Sequence, residues 1–250
     1  MRVLAIIPAR YASTRFPGKP LLPIGGRPMV QHVYDRLTAM PAISTTIVAT
    51  EDQRIVEAVE QFGGRVMLTA QTHRSGTDRC GEVLRKLDAQ GDSYDLVLNV
   101  QGDEPFVDTT QIETLVAAFD DPATQIATLR KRIDNLELLG SPNAVKVVTD
   151  LNGNALYFSR HAIPYCRDVQ PEALLNHAAY YKHIGLYAFR SAVLRQLVEL
   201  QPTPLEKAEN LEQLRWIENG YTIKVGLTEV ENLSVDTPDD YKKLIKHCAQ

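Results

Sequence analysis

The chain has 250 residues, 44% of them hydrophobic, with 27 basic and 31 acidic side chains and a formal charge of −4. A chain of this length buries roughly 70 to 75% of its unfolded surface, so one substantial core needs neither a disulfide nor a structural metal. The slight acidity argues against a protein devoted to coating nucleic acid or an anionic membrane, and any anion it binds must be met by local cations. The first predicted strand covers residues 3–7 and runs into Arg10-Tyr11-Ala12-Ser13-Thr14-Arg15-Phe16-Pro17-Gly18-Lys19-Pro20, a loop with three cations. Its small residues let backbone N–H groups converge on an anion, while two guanidinium groups and an ammonium offset the charge of a triphosphate. One such cation is worth about 4 kcal/mol at an effective dielectric of about 20.

Strand-length apolar runs at 46–49, 66–68 and 96–100 then alternate with amphipathic segments. Pro28 fits a first helical position, Asp52 fits the cap of a helix running towards Phe62, and Gly63-Gly64 supplies a left-handed stop. Beyond Pro122 the rhythm changes to strand-like pieces at 126–129, 144–148, 155–158 and 184–189, with the turn Asp150-Leu151-Asn152-Gly153-Asn154 predicting a hairpin. Pro202 and Pro204 introduce one helix over 205–219, closed by Gly220, and a last helix follows Thr237-Pro238. The expected architecture is α/β: a mostly parallel sheet with helices on both faces, in one domain over 1–250, with a strand-rich insertion at about 125–190. Ligands of such sheets sit beyond the carboxyl ends of the strands, where the loop holding Arg10 to Lys19 leaves the first one.

The scattered, odd-numbered cysteines Cys80, Cys166 and Cys248 fit a reduced compartment, and a metal site built from them is not expected. The first residues lack the pattern of a signal peptide, and no stretch approaches 18 apolar residues, so the expected location is the cytoplasm, without membrane insertion.

Two carboxylates stand at the ends of extended pieces. Asp103, in Gln101-Gly102-Asp103-Glu104-Pro105, emerges from a buried strand and is well sited to hold Mg²⁺, a hard cation that takes one or two carboxylates besides phosphates and water. Asp236, in Leu233-Ser234-Val235-Asp236-Thr237-Pro238, reads equally as a second ligand or as a helix cap. Gln71-Thr72-His73-Arg74-Ser75-Gly76-Thr77-Asp78-Arg79 brings hydroxyls, guanidinium groups and a glycine to the start of a helix, with Ser75 or Thr77 as its cap. His73 reads as a surface residue. The spacing fits neither the Walker loop nor the dinucleotide fingerprint, because Gly18-Lys19 is followed by Pro20 and Gly25-Gly26 has no third glycine in register.

Residues 6–20, Asn99-Val100-Gln101-Gly102-Asp103-Glu104-Pro105, Tyr157-Phe158-Ser159-Arg160, Leu211-Glu212-Gln213-Leu214-Arg215 and Val235-Asp236-Thr237-Pro238 together resemble the 3-deoxy-manno-octulosonate cytidylyltransferases, the CMP-Kdo synthetases. The likeness spans nearly the whole chain in order. It implies a Rossmann-like, GT-A-like nucleotidyltransferase fold and a cytoplasmic, Mg²⁺-dependent homodimer. The implied reaction moves CMP from CTP to the anomeric hydroxyl of 3-deoxy-manno-octulosonate (Kdo), releasing pyrophosphate for lipopolysaccharide assembly. By the same resemblance Arg10, Ser13, Lys19, Ser75 and Arg79 contact CTP, and Asp103 and Asp236 hold magnesium; in an in-line displacement at the α-phosphorus Arg15 and Lys19 are expected to stabilise the departing pyrophosphate. Gln101, Arg160, His183, Tyr187, Glu212 and Gln213 surround the sugar, and the role of Arg74 stays open.

Arg160 suits the Kdo carboxylate through fork geometry, or else serves a salt bridge at a hairpin end. His183 reads either as a sugar contact or as a satisfied core histidine, and Tyr187 keeps its strand parity and hence its face. On a single helix over 205–219, periodicity clusters Glu206, Glu209 and Gln213 on one side and nominates Glu206 and Glu209, whereas the resemblance nominates Glu212 and Gln213. Following the resemblance leaves Glu206 and Glu209 solvated or at an interface. The alternatives are the same chemistry on sialic acid or an amino-substituted Kdo, a non-catalytic CTP-binding regulator, and a glycosyltransferase, which would want an Asp-x-Asp motif where Asp103 is followed by Glu104-Pro105.

Overall fold

Val3–Pro8 (β1) is a run of apolar residues with a parallel partner on each side, Thr45–Thr50 (β2) and, further along the chain, Leu96–Asn99. Such a strand is covered on both faces, which is why it carries no alternation: Val3, Leu4, Ala5, Ile6 and Ile7 are all buried. The computed structural model describes residues 1–12, 16–231, 233–235 and 237–248. They form two compact units, one of Met1–Glu113, Phe189–Val198 and Asn232–Gln250, the other of Thr114–Ala188 and Glu199–Glu231. The strand-rich segment expected at about 125–190 falls in the second unit as far as Ala188, and that unit also takes in Glu199–Glu231.

In the first unit the ladder runs Leu96–Asn99 (β4), β1, β2 and Val66–Leu68 (β3), all parallel, with Ile6 opposite Ile47 on one side and Asn99 on the other. Helix α1 (Met29–Thr38) buries Met29, Val30, Val33 and Leu37, and α2 (Gln53–Gln61) buries Ile55 and Val59, the stripe expected of core-facing helices. Asp52 caps α2 by accepting the Arg54 N–H at 3.0 Å, and Gly63 follows it in the left-handed region. Pro28 stands one position earlier than expected, at the cap of α1 with ψ of 144°, so it directs the chain into the helix from outside. Helix α3 (Gly76–Ala89) is capped by Ser75, whose Oγ accepts the Asp78 N–H at 3.1 Å. Parallel pairing therefore brings the loops after β1, β3 and β4 to one edge of the sheet.

In the second unit Ile126–Arg132 (β5) lies beside Tyr181–Arg190 on one side and, in parallel, Ile223–Leu227 on the other. Lys146–Thr149 (β6) and Ala155–Ser159 (β7) form the expected hairpin, with Lys146 opposite Ser159 and Val147 opposite Phe158. Asp150 fixes its turn by accepting the Asn152 and Asn154 N–H groups at 2.9 and 2.7 Å. We label Tyr181–Arg190 β8 and Ile223–Leu227 β9. Strand β9 was not foreseen: it is short and carries Gly226, where a Cβ would lie 2.9 Å from Thr114 Cγ2.

The single helix expected over 205–219 is two helices, α4 (Pro204–Glu209) and α5 (Glu212–Glu218). Asn210 breaks it with φ of 52°, a left-handed conformation that asparagine tolerates better than most residues. Glu206, expected in solvent or at an interface, is instead held by partners of its own unit. It receives Arg215 Nε at 2.8 Å and Nη2 at 2.5 Å, a two-toothed pair that ties α4 to α5, and also the Thr203 N–H at 3.2 Å. Both side chains are mostly shielded, at 11% and 14% exposure. Removing one partner leaves the other charge buried and uncompensated. Glu206→Ala should therefore lower unfolding stability by about 3 kcal/mol, read as a reduced denaturant midpoint at unchanged slope.

Candidate active site

At the carboxyl edge of the first unit's sheet lies a cleft of about 280 Å³ bordered by Arg10, Ala12, Lys19, Gly76, Arg79, Gln101 and Asp103. Among the described residues three cations thus face one carboxylate. Lys19 is ion-paired with Asp103, and its Nζ also donates to the Val235 carbonyl at 3.2 Å. The Val235 N–H in turn donates to the Asp103 carbonyl at 3.0 Å, so this one lysine fastens together segments remote in sequence. Gly102 is glycine because the turn presses against the end of β1: a Cβ there would lie 3.0 Å from the Pro8 carbonyl oxygen. Gly18, at φ of 75°, closes the basic loop by donating its N–H to Tyr11 O at 2.8 Å, under the Tyr11 ring. The guanidinium of Arg54, held by Asp52, stacks on that ring.

Arg79 projects from α3 and is only 1% exposed. Glu51 faces its Nη2 at 2.8 Å and Thr69 accepts from Nη1. Burial, partly countered by Glu51, lowers its pKa from the usual guanidinium value. His73 is not the surface residue expected: its imidazole is bonded to Glu82 on α3, and its side chain is 17% exposed. Glu82 also accepts the Ala70 N–H at 2.9 Å and Lys86 Nζ at 2.8 Å, anchoring the segment that leads to Ser75. Burial acts to raise the Glu82 pKa, but Lys86, the Ala70 N–H and His73 together outweigh it and hold the carboxyl at about 2.

In the second unit two of the sugar candidates, His183 and Tyr187, belong to an aromatic row. His183 lies 5.0 Å from Phe158 and 5.3 Å from Tyr187, whose ring is 5.2 Å from Trp216. His183 and Tyr187 thus share a face, as their parity requires. Thr128 Oγ1 is 2.8 Å from Leu186 O and 2.9 Å from His183 Nε2. With its one proton given to the carbonyl, Oγ1 accepts from Nε2–H, which leaves Nδ1 of His183 as the acceptor. Burial, with a further push from Lys182, lowers the His183 pKa to about 3, so the ring is neutral at physiological pH. Burial raises the Tyr187 phenol well above its ordinary value, with Glu212 adding to the effect.

Gln213 is buried at the start of α5, next to half-buried Glu212. Arg160 follows β7 and is bonded to three main-chain carbonyls rather than to a carboxylate across the hairpin. Glu209, expected in solvent or at an interface, accepts from Ser159 Oγ at 2.6 Å and from the Arg160 N–H at 2.9 Å. Of the remaining candidates, Arg10, Lys19, Arg79, Gln101 and Asp103 meet at the cleft, with Ser75 just before its Gly76 wall. Ser13, Arg15 and Asp236 lie outside the described residues.

A cytidylyltransferase family profile matches residues 4–224. The 3-deoxy-manno-octulosonate cytidylyltransferase of Phocaeicola vulgatus is 54% identical, over 96% of this chain and 94% of its own. The chain belongs to the 3-deoxy-manno-octulosonate cytidylyltransferase family. The enzyme of that name from Geobacter metallireducens is 49% identical over 98% of this chain and 97% of its own. A solved CMP:2-keto-3-deoxy-manno-octonic acid synthetase complexed with CTP superposes with a TM-score of 0.92 at 41% identity, covering 100% of this chain and 99% of that one. A 4-diphosphocytidyl-2C-methyl-D-erythritol synthase, at TM-score 0.66 and 15% identity over 100% of both chains, shares the fold.

Within this cytidylyltransferase the sequence patterns overlooked Glu51, Thr69, Glu82 and Lys146, whereas periodicity did nominate Glu209 and the resemblance set it aside. Of the contacts these four make, only that of Glu82 with Lys86, four positions on, follows a local spacing. For Glu82 the consequence is measurable. Its folded pKa lies below its ordinary value of 4.5, so its contribution is complete above about pH 4.5 and fades as pH falls towards about 2. The shift corresponds to about 3 kcal/mol. Thermal unfolding of Glu82→Gln should accordingly show a shallower loss of stability over that window than the parent, with the two curves separated most above pH 5.

Proposed function

We propose that the chain transfers CMP from CTP to the anomeric hydroxyl of Kdo, releasing pyrophosphate and forming CMP-Kdo for lipopolysaccharide synthesis. The observation that carries this reading is the cationic cleft at the carboxyl edge of the sheet, where Arg10, Lys19 and Arg79 face Asp103, in a chain so similar to enzymes of that name. The anomeric hydroxyl gives up its proton to water as its oxygen bonds to the α-phosphorus, and the bond from that phosphorus to the bridging oxygen breaks as pyrophosphate departs with its electron pair. Catalysis of this kind consists of positioning and charge stabilisation. Arg10 and Lys19 offset charge on the leaving phosphates, and by the family pattern Ser13 and Arg15 share that work. Ser75 and Arg79 hold the nucleotide, with Arg79 fixed beforehand by Glu51 and Thr69. Arg160 meets the sugar carboxylate, and Gln101, His183, Tyr187, Glu212 and Gln213 border the sugar.

Magnesium fits the donors present. Asp103 offers hard carboxylate oxygen at the cleft, and among the described residues no three His, Cys, Asp or Glu converge, as suits an ion that takes most of its ligands from phosphate and water. Asp103 would hold it, with Asp236 as the second carboxylate of the family pattern. Bound there, it would supply Lewis-acid polarisation of the phosphate and a lowered pKa for the attacking hydroxyl. Lys19 keeps the Asp103 carboxylate in place and exchanges it for phosphate when nucleotide arrives. A homodimer acting in the cytoplasm, where CTP is available, completes the reading. No helix among the described residues is long and apolar enough to cross a membrane.

Asp103→Asn tests the mechanism. Pyrophosphate release with CTP and Kdo should fall to roughly one thousandth of the parent rate, while calorimetric CTP binding changes by no more than about fivefold. Near-normal turnover of that variant at ordinary magnesium would overturn the assignment. A panel of acidic sugars in the same assay should show Kdo preferred over sialic acid.

A further inference from the structure

Main-chain carbonyls converge on two cations where β7 ends. Lys146, fully buried, donates from Nζ to Ser141 O at 2.9 Å and Arg160 O at 2.5 Å. Arg160 donates from Nη1 to Pro142 O at 3.0 Å, from Nε to Glu209 O at 2.8 Å and from Nη2 to Asn210 O at 3.2 Å. The anion of this cluster is Glu209, with Oε1 on Ser159 Oγ and Oε2 on the Arg160 N–H. Burial opposes its charge, but the Arg160 N–H, the Ser159 hydroxyl and the nearby Arg160 and His161 side chains prevail and hold its pKa below the ordinary carboxyl value.

Glu209 therefore grips Arg160 at both ends, its carboxylate on the main chain and its carbonyl on Nε. The left-handed turn at Asn210 places the next carbonyl on Nη2. A guanidinium has five N–H groups. Among the described residues three are spent on carbonyls, which leaves one on each terminal nitrogen of Arg160. That is the pairing a carboxylate accepts in fork geometry. A cation so fully braced does not swing to find its ligand, and a sugar without the acid group leaves its remaining donors unanswered.

We propose that Glu209 is a positioning residue that aims Arg160 at the carboxylate of the sugar acid, selecting acidic sugars over neutral ones. This rests on the reading of Arg160 as the carboxylate partner, and the experiment separates the two. Steady-state kinetics with saturating CTP and varied Kdo are measured for Glu209→Gln, Arg160→Lys and the double variant, with KM for CTP and thermal unfolding in parallel. Glu209→Gln should raise KM for Kdo roughly tenfold, with KM for CTP unchanged, and should add nothing further in the Arg160→Lys background. Should Glu209→Gln fail to fold, Ser159→Ala removes one of the two hydrogen bonds orienting the carboxylate and should raise KM for Kdo about threefold. A KM for Kdo unchanged by Glu209→Gln, or an effect that simply adds to that of Arg160→Lys, makes Glu209 a brace of the fold only and overturns the proposal. If Arg160→Lys and Arg160→Ala themselves leave KM for Kdo unmoved, Arg160 is not the carboxylate partner and both readings fall.

Discussion

A triphosphate is held in a cleft only where fixed positive charge replaces the water it loses, and this chain answers that demand with cations brought to one edge of a parallel sheet. Everything around the cleft follows from keeping those cations apart and aimed. Lys19 is drawn to Asp103 and to the Val235 carbonyl, Arg79 to Glu51 and Thr69. Lys19 and Arg79 thus reach the cleft with partners of their own, which limits the repulsion among like charges there. The neutral wall between them is supplied by glycine, where the turn after β4 lies against the last residues of β1.

The second unit solves a different problem by the same economy of means. Its polar groups are satisfied by main-chain atoms as much as by opposing charges: Lys146 and Arg160 rest on carbonyls, and Asp150 and Glu209 on N–H groups. Main-chain partners cannot drift among rotamers, so side chains tied to them hold their direction. The aromatic row of Phe158, His183, Tyr187 and Trp216 adds a rigid floor, on which a neutral imidazole presents an acceptor without bringing charge.

What was legible in the sequence follows from how far each signal reaches. The buried strands of the first unit stood out because a parallel strand covered on both faces is apolar throughout, and the caps Asp52 and Ser75 stood out because capping is decided within three residues. The loop after β1 was readable for its density of cations, and Asp103 for its place directly beyond a strand. The helix over 205–219 was misjudged because periodicity runs unbroken through Asn210, and nothing local announces that this asparagine turns left-handed. Glu209, which that periodicity nominated together with Glu206, was left to solvent or an interface because the resemblance was followed instead. Lys146 was invisible for a related reason: a lysine in a strand reads as exposed until the carbonyls of Ser141 and Arg160 are seen to enclose it.

The turn at Asn210 has a consequence for how this chain can drift. Only residues at ease with positive φ keep the corner between α4 and α5, so the alphabet at that one position is narrow, with glycine the readiest substitute at the expense of greater freedom in the unfolded chain. A β-branched replacement would instead open the corner and withdraw the carbonyl on Nη2 of Arg160. An ordinary loop asparagine thereby comes under the same constraint as the arginine it faces, though it need never touch a ligand.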